Sequence, residues 1–400
     1  MKKVAVIGGG AAGFFAALSV RKHHSQAEIV LFEKSNKVLA KVKVSGGGRC
    51  NVTNASFSPS KLSKCYPRGG KQLKKTFDQF QAKDTIQWFE EHGVPLHTEA
   101  DGRMFPETND SQTILDCLTN AAADACIEVR MQTAVRKFEL ADYGWLINRE
   151  PFDFVIVASG GSPKAEGFEW LRSIGHQIVQ PVPSLFTFNL PDDTITDLMG
   201  VVVPNAIARI QGTKLSEQGP ILITHWGMSG PGILKLSAWG ARELANRGYV
   251  FTAQINWIGE PSESNAKLIL NESLPKIRKR KMGNACPFNL PRKFWVYLLC
   301  RADCNPNQTW MNLGKKERNR LFNTLLNDEH EVRGKTTFKD EFVTCGGIDL
   351  SDVNFYTMES RVTPRLFFAG EVLDVDGITG GFNFQAAWST GFVAGRLNST

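Results

Sequence analysis

The sequence predicts an α/β fold in which a parallel sheet is interrupted by an inserted domain. A short apolar strand, Val4 to Ile7, leads through glycines into an Ala- and Leu-rich helix, and "EIVLFEK" then supplies a second strand. This β-α-β order is the unit that builds parallel sheets. From about residue 183 the sequence is β-rich and broken by turns, and the α/β pattern returns after "FVTCGGIDL". An insertion explains this order best.

The composition is that of a globular protein: 42% of the 400 residues are hydrophobic and 22% are charged. The sequence contains no run of eighteen apolar residues, so it predicts no membrane span. Three glycines, Gly8 to Gly10, interrupt the N-terminal apolar run where an export signal would carry leucines, so we expect a cytoplasmic protein. The eight cysteines form no C-x-x-C pair, which argues against a zinc or dithiol site. No metal is expected.

Further elements follow from local patterns. Strands are expected at 127–139, 143–149 and 153–158, and a helix is expected from Ser111 to about Ala125 with Ser111 as its N-cap. Aromatic spacing predicts helix across 70–93, and residues 263–328 read as mostly helical between prolines.

A glycine motif, Gly8-x-Gly10-x-x-Gly13, lies between the first strand and the first helix. Gly8 allows the tight turn, Gly10 lets a pyrophosphate approach the backbone, and Gly13 lets helix and strand pack closely. Glu33 ends the second strand and can hold a ribose hydroxyl, while the helix N-terminus faces the phosphate charge. With this context the motif predicts dinucleotide binding.

The C-terminal stretch "RLFFAGEVLDVDGITGGFNFQAAWSTGFVAG" indicates which dinucleotide is bound. It predicts a strand from Leu366 to Ala369 and a helix that opens near Gly381. FAD is long enough to need such a second site, and the free N–H groups of the helix would face its flavin half. Glu371 can bind a ribityl hydroxyl, with Asp374 or Asp376 as substitutes.

The loop "KVSGGGRCNVTN", residues 43–54, is expected to bring backbone amides to the same cofactor. Ser45 and Arg49 are able to meet pyrophosphate or ribityl oxygens, and Asn51 suits a hydrogen bond to the ring system. Cys50 has no partner cysteine nearby in sequence, so we do not interpret it as a redox thiol.

Six segments together resemble the HI0933-like (BaiN-type) flavoprotein family over nearly the full chain. They are "VIGGGAAG", "SGGGRCNVTN", "VIVASGG", "ITHWGMSGPGIL", "TMESR" and "LFFAGEVLDVDGITGGFNFQAAWSTG". The resemblance implies a non-covalently bound FAD, a glutathione-reductase-like Rossmann domain, and an insert with a small β-barrel and a helical part. Phe382 stands where tyrosine is commoner in the family.

The resemblance also implies domain boundaries and a cofactor site. The FAD-binding domain is expected over 1–188 and 341–400, and the insert over 189–340, with its barrel at about 189–262 and 329–340 and its helices at about 263–328. The residues expected at the cofactor are Gly8, Gly10, Ala11, Ala12, Gly13, Glu33, Lys34, Lys41, Ser45, Gly46, Gly47, Arg49, Cys50, Asn51, Val135, Ala158, Ser159, Gly160, Gly370, Glu371, Asp376, Gly380, Gly381, Phe382 and Asn383.

The expected activity is hydride transfer between flavin and a small, unsaturated carbonyl substrate held between the two domains. The turn at Ala158 to Gly161 lacks the features of a second nucleotide site, so NAD(P)H would dock transiently at the flavin or another donor would serve. His225, Arg49 or a water is expected to supply polarisation or the proton.

Two alternatives remain open at this point. Between Lys276 and Arg320 twelve Lys or Arg stand against Asp303 and Glu317, a local charge of +10. This segment is either a solvated face or a surface for an anionic partner, and RNA modification by an FAD enzyme is the alternative that it favours. The other alternative is a flavin-loaded redox-sensing or binding protein without efficient turnover.

Overall fold

A computed structural model describes residues 2–141, 143–336 and 343–398. The chain divides into two units, Met1–Ser184 with Phe338–Thr400, and Leu185–Thr337. The domain boundaries expected at 188 and 340 stay predictions.

The strands are numbered in chain order through both units. They are β1 Lys3–Ile7, β2 Glu28–Phe32, β3 Thr53–Asn54, β4 Leu96–Thr98, β5 Arg103–Pro106, β6 Glu128–Arg130, β7 Phe138–Ala141, β8 Gly144–Ile147, β9 Glu150–Phe152, β10 Phe154–Val157, β11 Ile178–Ser184, β12 Thr187–Asn189, β13 Val202–Ile210, β14 Ser216–Thr224, β15 Gly227–Ser229, β16 Val250–Asn256, β17 Asp328–Arg333, β18 Lys335–Thr336, β19 Val343–Ile348, β20 Val353–Asn354, β21 Glu359–Ser360 and β22 Leu366–Phe368.

The α-helices are numbered in the same way. They are α1 Ala11–His23, α2 Ala40–Gly48, α3 Pro59–Leu62, α4 Gly70–Phe77, α5 Ala82–Glu91, α6 Ser111–Asp124, α7 Glu169–Arg172, α8 Pro231–Trp239, α9 Ala241–Asn246, α10 Glu263–Ile277, α11 Arg292–Arg301, α12 Lys315–Asn327 and α13 Phe382–Ala394.

The main sheet of the first unit has the strand order β20-β21-β22-β10-β1-β2-β6. The five strands from β22 to β6 run parallel. Residues Val4 to Val6 of β1 are fully buried, as expected for a parallel strand covered on both faces. Because the carboxyl ends of parallel strands share one edge, the segments after β1, β2, β10 and β22 all emerge there.

Two local expectations need correction. The predicted helix over 70–93 is two helices, α4 and α5, because Asp84 accepts a hydrogen bond from the Gln81 amide at 2.7 Å and starts a new helix. The N-cap of α6 is Asp110 and not Ser111: its carboxylate accepts from the Gln112 amide at 2.8 Å, while the Ser111 hydroxyl donates to the Lys43 carbonyl.

Helices α1 and α13 lie in close contact. A Cβ added at Gly391 would lie 2.6 Å from the Ala12 carbonyl oxygen, and one added at Gly395 would overlap the Ala16 carbonyl oxygen. The Ser19 hydroxyl of α1 also donates to the Phe392 carbonyl at 2.6 Å. The glycines of α13 therefore set the distance between helices that come from opposite ends of the chain.

The second unit contains an antiparallel sheet of seven described strands in the order β17-β16-β13-β14-β15-β12-β18. Its two outer strands, β17 and β18, are separated in sequence only by Gly334. Helices α10, α11 and α12 occupy the segment that was expected to be helical. The description of this unit as a barrel with a helical part stays a prediction.

A buried charged cluster lies in the core of the second unit. The His330 ring lies 2.6 Å from Asp193 Oδ2 through Nδ1 and 2.9 Å from Asp328 Oδ2 through Nε2. Arg301 Nε and the Trp257 indole N–H also donate to the Asp328 carboxylate, at 2.6 and 2.9 Å. Burial disfavours the charged imidazole, but the hydrogen bonds to the two carboxylates outweigh it and raise the pKa of His330.

Among the described residues, none of the helices combines the length and the apolar sequence needed to cross a membrane. The same residues contain no group of three or more His, Cys, Asp or Glu placed to hold a metal ion.

The contact between α1 and α13 predicts the effect of Gly391→Ala. In an unconstrained helix this change stabilises by about 0.5–1 kcal/mol. Here the added methyl group would crowd the Ala12 carbonyl, so we expect a loss of about 1–3 kcal/mol in the free energy of unfolding. Urea denaturation measures it, with Asn319→Ala on the exposed face of α12 as the control that should not destabilise. Equal or greater stability of Gly391→Ala would contradict the contact.

The His330 cluster predicts a pH dependence of stability. The pKa of His330 is raised in the folded state. Its contribution to the free energy of unfolding is therefore complete below its pKa in the unfolded chain, about 6.5, and is lost as the pH rises through its pKa in the folded protein. The pKa values of Asp193 and Asp328 are lowered, because the hydrogen bonds with His330 outweigh their burial, so their contribution is lost only in acid. The stability difference between wild type and His330→Gln should therefore shrink above about pH 6.5.

The matched control for this measurement is His176→Gln, since burial lowers the pKa of His176. Because the pKa of His176 is lowered, the difference in the free energy of unfolding between wild type and His176→Gln should be constant above about pH 6.5. Parallel profiles of the two variants over roughly pH 6–9 would be inconsistent with a charged His330.

Candidate functional site

The turn between β1 and α1 has the geometry that the glycine motif predicts. Gly8 has φ +116°, and a Cβ there would overlap the Ala158 carbonyl oxygen. A Cβ at Gly13 would overlap the Gly8 carbonyl oxygen. A Cβ at Gly10, by contrast, would have no atom within 4 Å. The first and last glycines are therefore required by packing, whereas Gly10 borders open space.

The N-terminus of α1 faces that space without a side-chain cap. Its N-cap residue is Gly10, and the amides of Ala11 and Ala12 in the first turn have no carbonyl within the helix to bind. Such a terminus carries a partial positive charge that suits a pyrophosphate. The residues present thus fit the phosphate half of a dinucleotide.

Glu33 is held beside the same turn. Its Oε2 accepts from the Gly9 amide and its Oε1 from the Ser35 amide, both at 2.8 Å. The neighbouring Lys34 is exposed. The Thr133 amide donates to the Glu33 carbonyl, and Val135, two residues further along the chain, is half-buried. The carboxylate position agrees with the ribose contact expected of Glu33, which stays a prediction.

The loop after β10 completes this edge of the sheet. Ala158 is buried and its amide donates to the Ile7 carbonyl at 2.8 Å, whereas Ser159 is exposed. Gly160 has φ +74°, and a Cβ added there would have no atom within 4 Å. The contact of this turn with the cofactor stays a prediction.

The loop from Ser45 to Asn51 breaks α2 in the way its glycines require. Gly46, Gly47 and Gly48 have φ of +59°, +70° and +84°, and the non-glycine Cys50 has φ +61°. Added Cβ atoms at Gly47 and Gly48 would meet nothing within 4 Å. The Ser45 hydroxyl donates to the Val42 carbonyl at 3.0 Å. The loop is therefore a defined left-handed turn with accessible backbone.

Cys50 is fully buried, and burial raises the pKa of its thiol to about 12. The thiolate is the nucleophilic form of cysteine, so this side chain is protonated at neutral pH and unreactive. A buried, protonated thiol does not suit a redox role.

Arg49 does not point to open space, and the expected contact of its side chain with phosphate or ribityl oxygens is corrected here. Its Nη1 lies 2.7 Å from Glu99 Oε1, and its guanidinium lies 4.0 Å from the centre of the Phe105 ring. An anion or a proton-transfer role would have to break this ion pair. The side chain instead fixes the glycine loop to the neighbouring β5 strand.

On the C-terminal side, Glu371 and Lys41 pair with each other. Lys41 Nζ lies 2.7 Å from Glu371 Oε2, and the Thr344 amide donates to Glu371 Oε1 at 2.8 Å. The Thr344 hydroxyl is buried without a hydrogen-bond partner among the described residues. Gly370 donates its amide to the Thr390 hydroxyl at 2.9 Å, and a Cβ on it would lie 2.8 Å from Ala12 Cβ. The motif after β22 thus contacts the first turn of α1 directly.

Asp376 requires a correction. It is fully buried, forms an ion pair with Arg68, and accepts from the Ser184 hydroxyl at 2.5 Å. Burial raises its pKa, and the contact with Arg68 opposes that effect. Its carboxylate is therefore not available to a ribityl hydroxyl. Sequence reasoning missed Arg68, whose only signal is a single arginine in the turn "YPRGG".

The N-terminus of α13 is tied to the glycine loop. Gly381 is its N-cap, with φ +90° and no side-chain cap. With its amide oriented to satisfy both neighbours, Asn51 accepts from the Gly381 N–H at 2.9 Å and donates to the Thr53 carbonyl at 3.0 Å. Gly380 has φ +130°, and its carbonyl accepts from the Asn54 side chain at 3.1 Å. Asn51 therefore orders the turn that aims this helix terminus.

Two residues at the start of α13, Asn383 and Phe382, form hydrogen bonds within the protein. The Asn383 side chain bonds both the N–H and the carbonyl of Gly377, at 2.8 and 3.0 Å, so it closes its own loop and is not free for the cofactor. Phe382 is buried, and its carbonyl accepts from the Tyr66 hydroxyl at 2.6 Å.

His225 lies in the second unit, in the two-residue turn between β14 and β15. Its ring is exposed and packs edge-on against Trp226 with centroids 4.2 Å apart. The described contacts give it no carboxylate partner, so a proton-transfer role for His225 stays a prediction.

Comparison with known proteins agrees with this geometry. The family model for the HI0933-like protein Rossmann domain matches residues 2–397. The chain is 26% identical to the 3-dehydro-bile acid delta(4,6)-reductase of Clostridium scindens, over 99% of this chain and 98% of that protein. It is 27% identical to the ribosomal RNA dihydrouridine synthases of Escherichia coli and Haemophilus influenzae, over 98% and 97% of this chain and 96% of each of those proteins.

Among solved structures, the 3-ketosteroid delta1-dehydrogenase of Sterolibacterium denitrificans aligns with a TM-score of 0.52 over 99% of both chains. Its identity to this chain is 12%, so the likeness concerns the fold.

The open space at Gly10 predicts that Gly10→Ala separates cofactor binding from folding. The methyl group meets no protein atom, so the stability of the apoprotein should be unchanged, but it would project where the pyrophosphate is expected and weaken FAD binding at least about tenfold. Fluorescence titration of apoprotein with FAD measures the affinity. The control is Gly314→Ala at the N-cap of α12, an extended glycine outside the site. Wild-type affinity in Gly10→Ala would contradict the assignment.

Proposed function

Because this chain belongs to the HI0933-like family, we propose that it is an FAD-dependent reductase of carbon–carbon double bonds conjugated with a carbonyl group. The observation that carries the proposal is the pair of helix N-termini without side-chain caps, those of α1 and α13, held together by the contact of Gly391 with Ala12. One such terminus suits a nucleotide, and two suit a cofactor with the length of FAD.

The names of the relatives support the type of bond. One relative is named as a reductase of delta(4,6) double bonds in a 3-dehydro bile acid, and two are named as synthases of dihydrouridine. In a 3-oxo steroid with these double bonds, and in uracil, the reduced carbon–carbon bond is conjugated with a carbonyl group. The same type of addition serves both: a hydride adds to a carbon made electrophilic by the conjugated carbonyl, the β carbon or, in the dienone, also the vinylogous δ carbon, and a proton adds to the other carbon of that double bond.

The residues of the first unit would bind and orient the cofactor. The amides of Ala11 and Ala12 would hold the pyrophosphate, Glu33 the ribose, and the first-turn amides of α13 the flavin ring. When bound, FAD supplies the hydride chemistry of the reaction. Lys41 and the Thr344 amide hold the Glu371 carboxylate in place, so that a ribityl hydroxyl would meet a fixed acceptor.

We propose His225 as the group that delivers or polarises the proton, on the basis of its exposure in a glycine-flanked turn. NADH or NADPH, docking transiently, is the proposed donor, because no second nucleotide motif is recognisable in the sequence.

A second form of the same function is reduction of uridine within RNA. Two of the three relatives described above carry this activity in their names, at an identity equal to that of the bile-acid reductase within one percentage point. The reacting group is again a double bond beside a carbonyl, so the chemistry of the first unit would be unchanged.

The decisive experiment is anaerobic reduction of the yellow holoprotein by NADH or NADPH, followed by reoxidation. We expect conjugated enones, or uridine-containing RNA, to reoxidise the cofactor and to lose one double bond by mass spectrometry. If quinones and oxygen reoxidise it while neither of those acceptors does, the reductase proposal is wrong and a redox-sensing protein is favoured. A protein that cannot be reconstituted with FAD would refute both.

In that assay His225→Gln should slow acceptor-dependent reoxidation about 10²-fold at unchanged FAD content, since general acid catalysis contributes about this much. The control is His92→Gln, another exposed histidine whose ring packs on a nearby tryptophan, Trp88. Equal reoxidation rates in the two variants would exclude His225 as the group that delivers or polarises the proton.

A further inference from the structure

Two segments of the second unit form a ribbon, residues 278–283 and 306–311, which we call the basic ribbon. Backbone hydrogen bonds join them: the Trp310 amide to the Arg280 carbonyl at 3.2 Å and the Met311 amide to the Arg278 carbonyl at 2.9 Å. Lys281 pairs with Thr309 as an isolated antiparallel bridge. The basic sequence "RKRK" is therefore held in a defined backbone and is not part of an unstructured loop.

Two buried tryptophans anchor the ribbon. The Trp295 indole N–H donates to the Met282 carbonyl at 2.8 Å, and that of Trp310 donates to the Ala285 carbonyl at 2.9 Å. Their rings stack at 6.1 Å with an interplanar angle of 16°. The backbone that carries the cations is therefore fixed, which lowers the entropy lost when a ligand binds.

The cations of the ribbon are exposed and not neutralised. Arg278, Lys279, Arg280 and Lys281 are all exposed, and none forms an ion pair with an acidic residue of the described chain. Arg280 and Arg292, which approaches from α11, both donate to Asn284, at 3.0 and 2.8 Å. Arg292 is thereby added to the same surface.

The acidic residues nearby are already occupied. Glu317 accepts from the Gly314 amide at 2.9 Å, and Asp303 pairs with Arg320 at 3.1 Å. Lys315 and Lys316 are exposed in the first turn of α12, which begins four residues after Met311. The ribbon and this turn therefore both present an excess of positive charge.

We propose that the basic ribbon binds the phosphate backbone of RNA. This inference rests on the RNA form of the proposed function. The exposed amide side chain of Asn307, a type that suits phosphate and ribose contacts, accompanies the cations, and Met311 is the single large apolar residue exposed on the described ribbon. A surface that inserts into membranes would carry more apolar side chains.

The test is fluorescence anisotropy of the holoprotein with a labelled RNA hairpin that has a uridine-containing loop. The ribbon variant is Arg278→Gln/Arg280→Gln/Lys281→Gln. At about 100 mM salt its Kd should rise at least about tenfold, and the slope of log K against log salt should become shallower by roughly two to three, because each lost phosphate contact removes about 0.7–0.9.

The matched control is Lys83→Gln/Lys137→Gln/Lys214→Gln, three exposed lysines spread over both units, which removes the same charge. Its Kd should change less than about threefold. Equal losses in the two variants would mean that net charge and not the ribbon binds RNA, and would overturn the proposal. So would wild-type protein that binds vesicles of anionic phospholipid but not the hairpin.

Two readouts keep this inference distinct from the proposed function. FAD content and reoxidation by a small enone should be the same in wild type and in the ribbon variant. Loss of hairpin binding with both of these retained supports the ribbon. A wild-type protein that reduces enones and never binds the hairpin overturns the ribbon and leaves the reductase in place.

Discussion

The contact between α1 and α13 is the constraint on which the candidate site depends. Gly391 and Gly395 let the backbone of α13 approach that of α1 so closely that a methyl group at either position would meet a carbonyl oxygen. Gly370, in the turn after β22, also lies close to α1: a Cβ added there would lie 2.8 Å from Ala12 Cβ. Because these residues come from opposite ends of the chain, their packing, together with the parallel pairing of β22, β10 and β1, brings the two glycine turns to one edge of the sheet.

The loop "SGGGRCN" then determines how the second terminus is aimed. Asn51 bonds the Gly381 amide, the Val52 carbonyl accepts from the Trp388 indole at 2.9 Å, and the Thr53 hydroxyl donates to Gln385 at 2.5 Å. Three successive residues thus contact three turns of one helix. The left-handed glycines serve this arrangement, since they turn the chain out of α2 and into the strand that α13 packs against. The loop therefore supports α13, in addition to the cofactor contact that is proposed for it.

The parts of the site that the sequence predicts are those set by local conformation. The turn at Gly8 and the start of α13 at Gly381 follow from glycines beside an apolar run, and the position of Glu33 follows from the end of the apolar strand β2 at Phe32. Side-chain partners do not follow, because Arg49 with Glu99, Lys41 with Glu371 and Arg68 with Asp376 are separated by fifty to more than three hundred residues. A carboxylate near a motif is therefore a weak indication of a cofactor ligand: Asp376 lies in the motif and is already neutralised by Arg68.

The fold also suggests how one family can include enzymes named for a bile acid and for ribosomal RNA. Hydride addition requires only that the double bond be conjugated with a carbonyl, and the cofactor site proposed in the first unit would meet that electronic demand. Selection between a steroid and a polyanion depends on the charge of the protein surface. Around the glycine loop of the first unit, the described ion pairs largely cancel that charge. In the second unit the basic ribbon keeps its charge exposed on a backbone fixed by Trp295 and Trp310. Chemistry and partner selection can then vary independently, because the residues proposed for catalysis and the residues of the basic ribbon are different.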